Sequence, residues 1–144
     1  MPNTAPIFTL KGDISTNDGT TMPTPLTLAA PDYTGIPANY QLIWTADAVD
    51  GGYLRGIKFV SSGTNVATVA RVFVNNGSSP GTATNNAPIG QISLPITTAS
   101  NTAMTSELYL PIDMAISPGF RIYVGIATAV AAGWTPTADA GQYA

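Results

Sequence analysis

The chain has 144 residues and a mass of 14.8 kDa, the size of one ordinary domain. It carries 5 basic and 8 acidic side chains, a net charge of −3, and neither histidine nor cysteine. Those absences exclude a Cys–His zinc site, a disulfide framework, a thiol nucleophile and any histidine-based acid–base catalysis.

Hydrophobic residues are 44 % of the chain, enough to offset the entropy of ordering one core. Charged residues are 9 %, against about 25 % in an average domain. With five cations, a groove that tracks phosphates is not expected, so no nucleic-acid partner is assigned. Met1-Pro2-Asn3-Thr4 lacks the basic and apolar regions of a secretory leader. The longest apolar stretch, Ile122 to Trp134, is broken by Gly125, Thr128 and Gly133, so no membrane partner is expected.

Residues 1–38 read as an extended arm. Pro2, Pro6, Pro23, Pro25, Pro31 and Pro37 remove ladder donors and fix φ, which disfavours central strands. Ile7, Phe8, Leu10, Leu26, Leu28 and Tyr33 are too apolar for a solubilising tail. The arm therefore lies against something, either its own body or a neighbouring subunit. Within it, Asp13, Asn17, Asp18 and Gly19 form an acidic turn without the spacing of a calcium loop.

Residues 39–144 read as the body. Tyr40 to Ala46 is a candidate strand, and Asp47-Ala48-Val49-Asp50-Gly51-Gly52 a turn whose aspartates cap the loop. Tyr53 to Ser62 follows. Strict alternation puts Leu54, Gly56, Lys58 and Val60 on one face, and Tyr53, Arg55, Ile57 and Phe59 on the other. Gly63-Thr64-Asn65 turns the chain into Val66 to Asn75, where Arg71 and Phe73 share a face. Asn76 to Asn86 is a polar surface loop, and Gly90 to Thr97 a strand that Pro95 marks as an edge or an end. Glu107 to Ile112 is short. Its glutamate is expected to face solvent or to pair with Arg71 or Arg121. Ser117-Pro118-Gly119-Phe120 is a tight turn. Arg121 to Thr128 is apolar on both faces and therefore central, and Trp134 to Tyr143 closes the chain.

No window sustains a helical apolar stripe, and strand-like runs recur between turn signals. The fold class is all-β: one antiparallel sandwich, jelly-roll-like, of six to eight strands, preceded by the proline-rich arm.

Three segments carry a resemblance. They are Tyr53-Leu54-Arg55-Gly56-Ile57-Lys58-Phe59-Val60, Asn65 to Gly77, and Ile116 to Ile126. The ending Ala131-Ala132-Gly133-Trp134, then Ala140-Gly141-Gln142-Tyr143, adds to them, with Gln142 where an acidic residue is more usual. On these residues the body resembles the small capsid decoration, or cement, proteins of tailed bacteriophages. The resemblance implies a structural protein of the virion exterior, made in the host cytoplasm. It would bind the major capsid protein lattice as a homo-oligomer, a trimer first, without catalysis or cofactor. Ile7, Phe8, Leu10, Leu26, Leu28, Tyr33, Arg55 and Arg71 are the candidate contacts with a partner. Neutral, Thr-rich and Ala-rich surfaces suit broad interfaces of this kind.

Two other functions compete. A glycan- or receptor-binding module of a head fibre or tail would use exposed aromatics, with Trp44 and Trp134 reporting on a sugar. An enzyme would have to be a carboxylate hydrolase, and no suitably spaced pair of acids is visible.

Overall fold

Alternating residues build two sheets, and the chain returns its own N-terminal segment over one of them. A computed structural model describes residues 21–30, 32–36 and 38–143, together with the backbone of 11–13. Among the described residues there are eight strands: β1 Lys11–Asp13, β2 Gln41–Thr45, β3 Gly52–Ser61, β4 Thr68–Asn75, β5 Asn86–Leu94, β6 Glu107–Ile116, β7 Arg121–Ile126 and β8 Trp134–Gln142. One sheet has the order β1-β8-β3-β6 and the other β2-β7-β4-β5, with every pairing antiparallel. Apart from the β4–β5 hairpin, successive strands alternate between sheets, which is the jelly-roll arrangement of a β-sandwich. Among the described residues the only helical element is the 3₁₀ turn Ala83–Asn85. No helix in that set is long and apolar enough to cross a membrane.

The core lies between the sheets. Ile43 and Trp44 of β2, Ala70 and Val72 of β4, and Ile122, Val124 and Ile126 of β7 face Leu54, Ile57 and Phe59 of β3 and Trp134 and Ala138 of β8. Both tryptophans are fully buried. β7 is central, between β2 and β4, as its two apolar faces require. β5, which holds Pro88, and β6, which holds Pro111, are edge strands, where a missing N–H costs no ladder bond.

A β-bulge corrects the alternation expected of β3. Pairing with both β6 and β8 slips between Leu54 and Gly56. The extra residue reverses the phase. Leu54, Ile57 and Phe59 therefore all point into the core, while Arg55, Lys58 and Val60 are exposed. Arg55 and Lys58, predicted on opposite faces, share the solvent face. Gly56 is required there, because a Cβ at that position would collide with the Tyr109 ring.

The described part of the arm lies on its own body. Lys11–Asp13 pairs with Ala140–Gln142. Leu26 exchanges two backbone hydrogen bonds with Trp134, at 2.8 and 3.2 Å. The Ala30 amide donates to the Ile126 carbonyl, and the Val130 amide to the Thr27 carbonyl. The Gln41 carboxamide clamps Thr24, accepting from its amide at 3.1 Å and donating to its hydroxyl at 2.6 Å. Between the alternatives of body and neighbour, these residues occupy the body.

Candidate functional site

Three places collect polar or exposed side chains: the arm seam on the second sheet, the outer face of the first sheet, and the loop end of the sandwich.

At the seam, β4 and β7 turn Phe73 and Tyr123 outward, away from the main core. Ala30 and Tyr40 cover them and form a second buried cluster. The Tyr40 and Phe73 rings meet edge to face, with centroids 5.1 Å apart. The Tyr40 hydroxyl donates to the Asp32 carbonyl at 2.8 Å. Burial pushes its pKa up, the Asp32 charge adds to this, and the Arg71 guanidinium opposes it. Asp32 is held below the usual carboxylate range, first by the Thr34 hydroxyl hydrogen bond at 2.7 Å. Tyr33 lies over the Arg71 guanidinium, 3.9 Å from ring centroid to Cζ.

This arrangement places the sequence-predicted contacts. Leu26 is 5 % exposed and belongs to the chain's own core. Arg71 is buried beneath the arm, so it meets Tyr33 of the same chain. Leu28 and Tyr33 are 62 % and 68 % exposed. Arg55 lies on the opposite sheet, where its side chain pairs with Asp139 at 3.7 Å. The structure thus brings Tyr33 and Arg71 together and leaves Arg55 apart. Ile7, Phe8 and Leu10 lie outside the described residues, as do Asn17, Asp18 and Gly19.

The outer face of the first sheet is a charged strip. Glu107 faces solvent, one of the two alternatives expected of it, and the cation it pairs with is Lys58 at 3.5 Å rather than Arg71 or Arg121. The register explains it: β3 and β6 are neighbours, with Val60 opposite Glu107 and Lys58 opposite Tyr109. The Tyr109 hydroxyl donates to the Asp139 carboxylate at 2.9 Å. Its pKa is pushed up to about 12, by desolvation first and then by this hydrogen bond and the Asp139 charge. Exposed pairs of this kind contribute about 0–1 kcal/mol each.

The loop end joins segments 62–67, 95–106 and 127–133. Asn65 lies at its centre, 2 % exposed. Its Oδ1 accepts from the amides of Gly133 at 2.7 Å and Ala132 at 3.0 Å. Its Nδ2 donates towards the Gly133 carbonyl, Ser61 Oγ and Thr97 Oγ1, at 3.1 to 3.2 Å. Its backbone exchanges two bonds with Thr97. One step beyond this bridge, Val66 and Ile96 fall opposite each other, 55 % and 72 % exposed. Met104, on the 95–106 loop, is 78 % exposed. A shallow groove of about 440 Å³ opens nearby, lined among others by Ala67, Val69, Pro95 and Ala127.

The sequence reading took Asn65 for a turn residue and missed its role as a hub. It also missed Gln142, which is buried and ties the sheets together at the other end. The Gln142 amide donates to the Thr45 carbonyl at 3.0 Å and accepts from the Asp47 amide at 2.6 Å. Asp47 caps its turn as expected, accepting from the amides of Val49 and Asp50. Since Trp44 and Trp134 are both buried, neither can stack on a sugar in this fold. Among the described residues no group of three acidic side chains is placed to hold a metal ion.

Comparison with known proteins returned no matching family model, no matching curated protein and no matching solved structure.

Proposed function

We propose that this chain is a virion structural protein that decorates a capsid. It binds the outer surface of the major shell protein, as a homo-oligomer, and acts by adhesion rather than catalysis. The loop end carries this reading. Val66, Ile96 and Met104 are apolar and more than half exposed, on loops fixed by a buried asparagine hub. A rigid apolar surface keeps its ordering cost low when it docks. The resemblance over Tyr53 to Val60, Asn65 to Gly77 and Ile116 to Ile126 points the same way, and jelly rolls recur among viral shell proteins. Fold alone assigns no function, so the reading rests on the surface and on the resemblance together.

Quantitative mass spectrometry of purified particles from the encoding virus tests it. A copy number equal to the shell protein, or a simple fraction of it, is the expected result. Complete absence from particles overturns the proposal. The charged double variant Val66→Asp/Ile96→Asp should remain folded and lose particle binding, whereas Val49→Asp, at the opposite end, should bind normally. If both bind alike, the loop end is not the docking surface.

A further inference from the structure

The sequence contains a single Asn-Gly step, Asn76-Gly77, at the head of the β4–β5 hairpin loop. Asn-Gly is the sequence in which spontaneous deamidation meets least steric resistance, because glycine offers no side chain to hinder attack by its own backbone nitrogen. We propose that Asn76 is the deamidation site of this protein, and that Asn75 holds the reaction off while the loop is closed.

The chemistry needs two groups free. The Gly77 backbone nitrogen gives up its proton to solvent base and attacks Cγ of Asn76. A C–N bond forms, Nδ2 leaves as ammonia, and a five-membered imide results. Water then opens the imide at either carbonyl, giving aspartate or isoaspartate. No electrons are transferred, and the balance is one water in and one ammonia out.

The fold ties up both groups. Gly77 N–H donates to Asn75 Oδ1 at 2.8 Å, which stabilises the protonated amide. Asn75 is itself fully buried, and its Nδ2 is fixed on Asn86 Oδ1 at 2.8 Å, so the acceptor cannot swing away. The reacting carboxamide is held at both ends. Asn76 Oδ1 accepts from the Ser78 amide at 3.0 Å, and Nδ2 donates to Asn85 Oδ1 at 3.3 Å. Asn76 N–H donates to the Asn85 carbonyl at 3.0 Å. Thus Asn75 faces Asn86 and Asn76 faces Asn85 across the end of the hairpin. Asn85 and Asn86 in turn bond the carbonyls of Ser79 and Pro80. A loop of polar residues is ordered by paired carboxamides, and the reactive step lies inside that order. Exposure is not the barrier, since Asn76 itself is solvent-facing.

Conversion would undo the arrangement. A carboxylate at position 76 cannot donate to Asn85 Oδ1 and would face its lone pairs. Isoaspartate would also lengthen the backbone ahead of Gly77. That glycine abuts the β6–β7 turn so closely that an added Cβ would fall 2.9 Å from the Gly119 carbonyl oxygen. The reaction is therefore one-way damage to the 76–85 loop and to the turn beside it. This inference is independent of the docking role.

The test is peptide mapping by mass spectrometry after incubation at mildly alkaline pH. Native protein is compared with the same protein in urea. In urea Asn76 should convert ahead of the other asparagines. In the native protein its rate should fall by about a hundredfold, the combined effect of several hydrogen bonds that must open together. Asn75→Ala should restore about tenfold of the rate, while Gly77→Ala should suppress conversion in urea. Equal rates in native and unfolded protein overturn the proposed guard. Faster conversion elsewhere in urea overturns the site. If Asn75→Ala fails to fold, the native-to-urea ratio of the unaltered chain still decides.

Discussion

Replacing Asn65 with alanine is the most demanding test of the loop-end architecture. Truncation removes the acceptor for the Gly133 amide at 2.7 Å, and that amide has no other partner among the described contacts. The Ala132 amide keeps a longer bond to the Thr64 carbonyl at 3.3 Å, and the Gly133 carbonyl keeps the Ser62 amide at 2.9 Å. So one buried N–H is orphaned, at about 1–3 kcal/mol, and the remaining bonds are weakened rather than lost. A small void at a site 2 % exposed adds to this. The sum is about 2–4 kcal/mol, a large share of the 5–15 kcal/mol expected for a domain of this size. Urea unfolding should show a lower midpoint with an unchanged slope, and Tm should fall on the order of 10 °C. Asn101→Ala, on the exposed part of the 95–106 loop, is the control and should cost nothing measurable. A loss below about 1 kcal/mol for Asn65→Ala would refute the reasoning, since an orphaned buried amide cannot be that cheap.

Other positions give sharper readouts than stability alone. Gln142→Glu keeps the acceptor for the Asp47 amide but loses the donor to the Thr45 carbonyl. It should cost about 1–3 kcal/mol at neutral pH, and the deficit should shrink in acid, where a protonated carboxyl can donate again. A deficit that does not change with pH would mean the amide donor is unimportant. Tyr109, with its folded pKa raised to about 12, stays neutral in the folded state while the unfolded chain ionises near the ordinary tyrosine value. Its contribution is therefore intact below that value and declines as pH rises towards 12. Tyr40 is raised as well, so the Tyr109 signal in an ultraviolet titration is the late-ionising component that Asp139→Ala shifts earlier and Tyr109→Phe removes. Tyr33→Ala removes the ring over Arg71, worth about 0.5–1 kcal/mol at an exposed site. Hydrogen exchange at the Ala30 amide should quicken while Tm barely moves. Unchanged protection of that amide would show that the Tyr33 stack does not latch the arm.

Strand positions were legible because a sandwich strand needs one apolar face, and alternation writes that need into the chain. β7 declared itself central by carrying apolar residues on both faces. Tyr123, on its outer face, is buried beneath the arm, in the cluster with Ala30, Tyr40 and Phe73. What alternation cannot carry is a change of phase. The bulge at Arg55 and Gly56 inserts one residue, and every assignment on the early part of β3 inverts relative to the late part. The signal available was Gly56 itself, since an isolated glycine inside a strand marks a bulge or a close approach. The burial of Arg71 was illegible for a different reason. Its neighbours Val69 and Phe73 suggest an open face that an arginine could cover with its stem. Only the return of the arm over β4 shows that the guanidinium is capped by Tyr33.

The low charge content has a cause inside the molecule as well as at its surface. Asn65, Asn75 and Gln142 are 2 %, 0 % and 6 % exposed, and each uses its amide to bond backbone from another part of the chain or a facing carboxamide. An ionised side chain in any of these places would carry a desolvation cost that a neutral amide avoids. An acid would also lack the donor that Thr45, Gly133 and Asn86 accept from. The richness in Asn and Thr is thus in part a record of how the loop ends are tied. Surface neutrality alone would explain exposed threonines and alanines, but not fully buried carboxamides at the ends of the sandwich. A variant in which these amides become apolar should lose its loop order before it loses its sheets, because the sheets are held by the core around Trp44 and Trp134, to which the loop segments 62–67, 95–106 and 127–133 contribute only Val130.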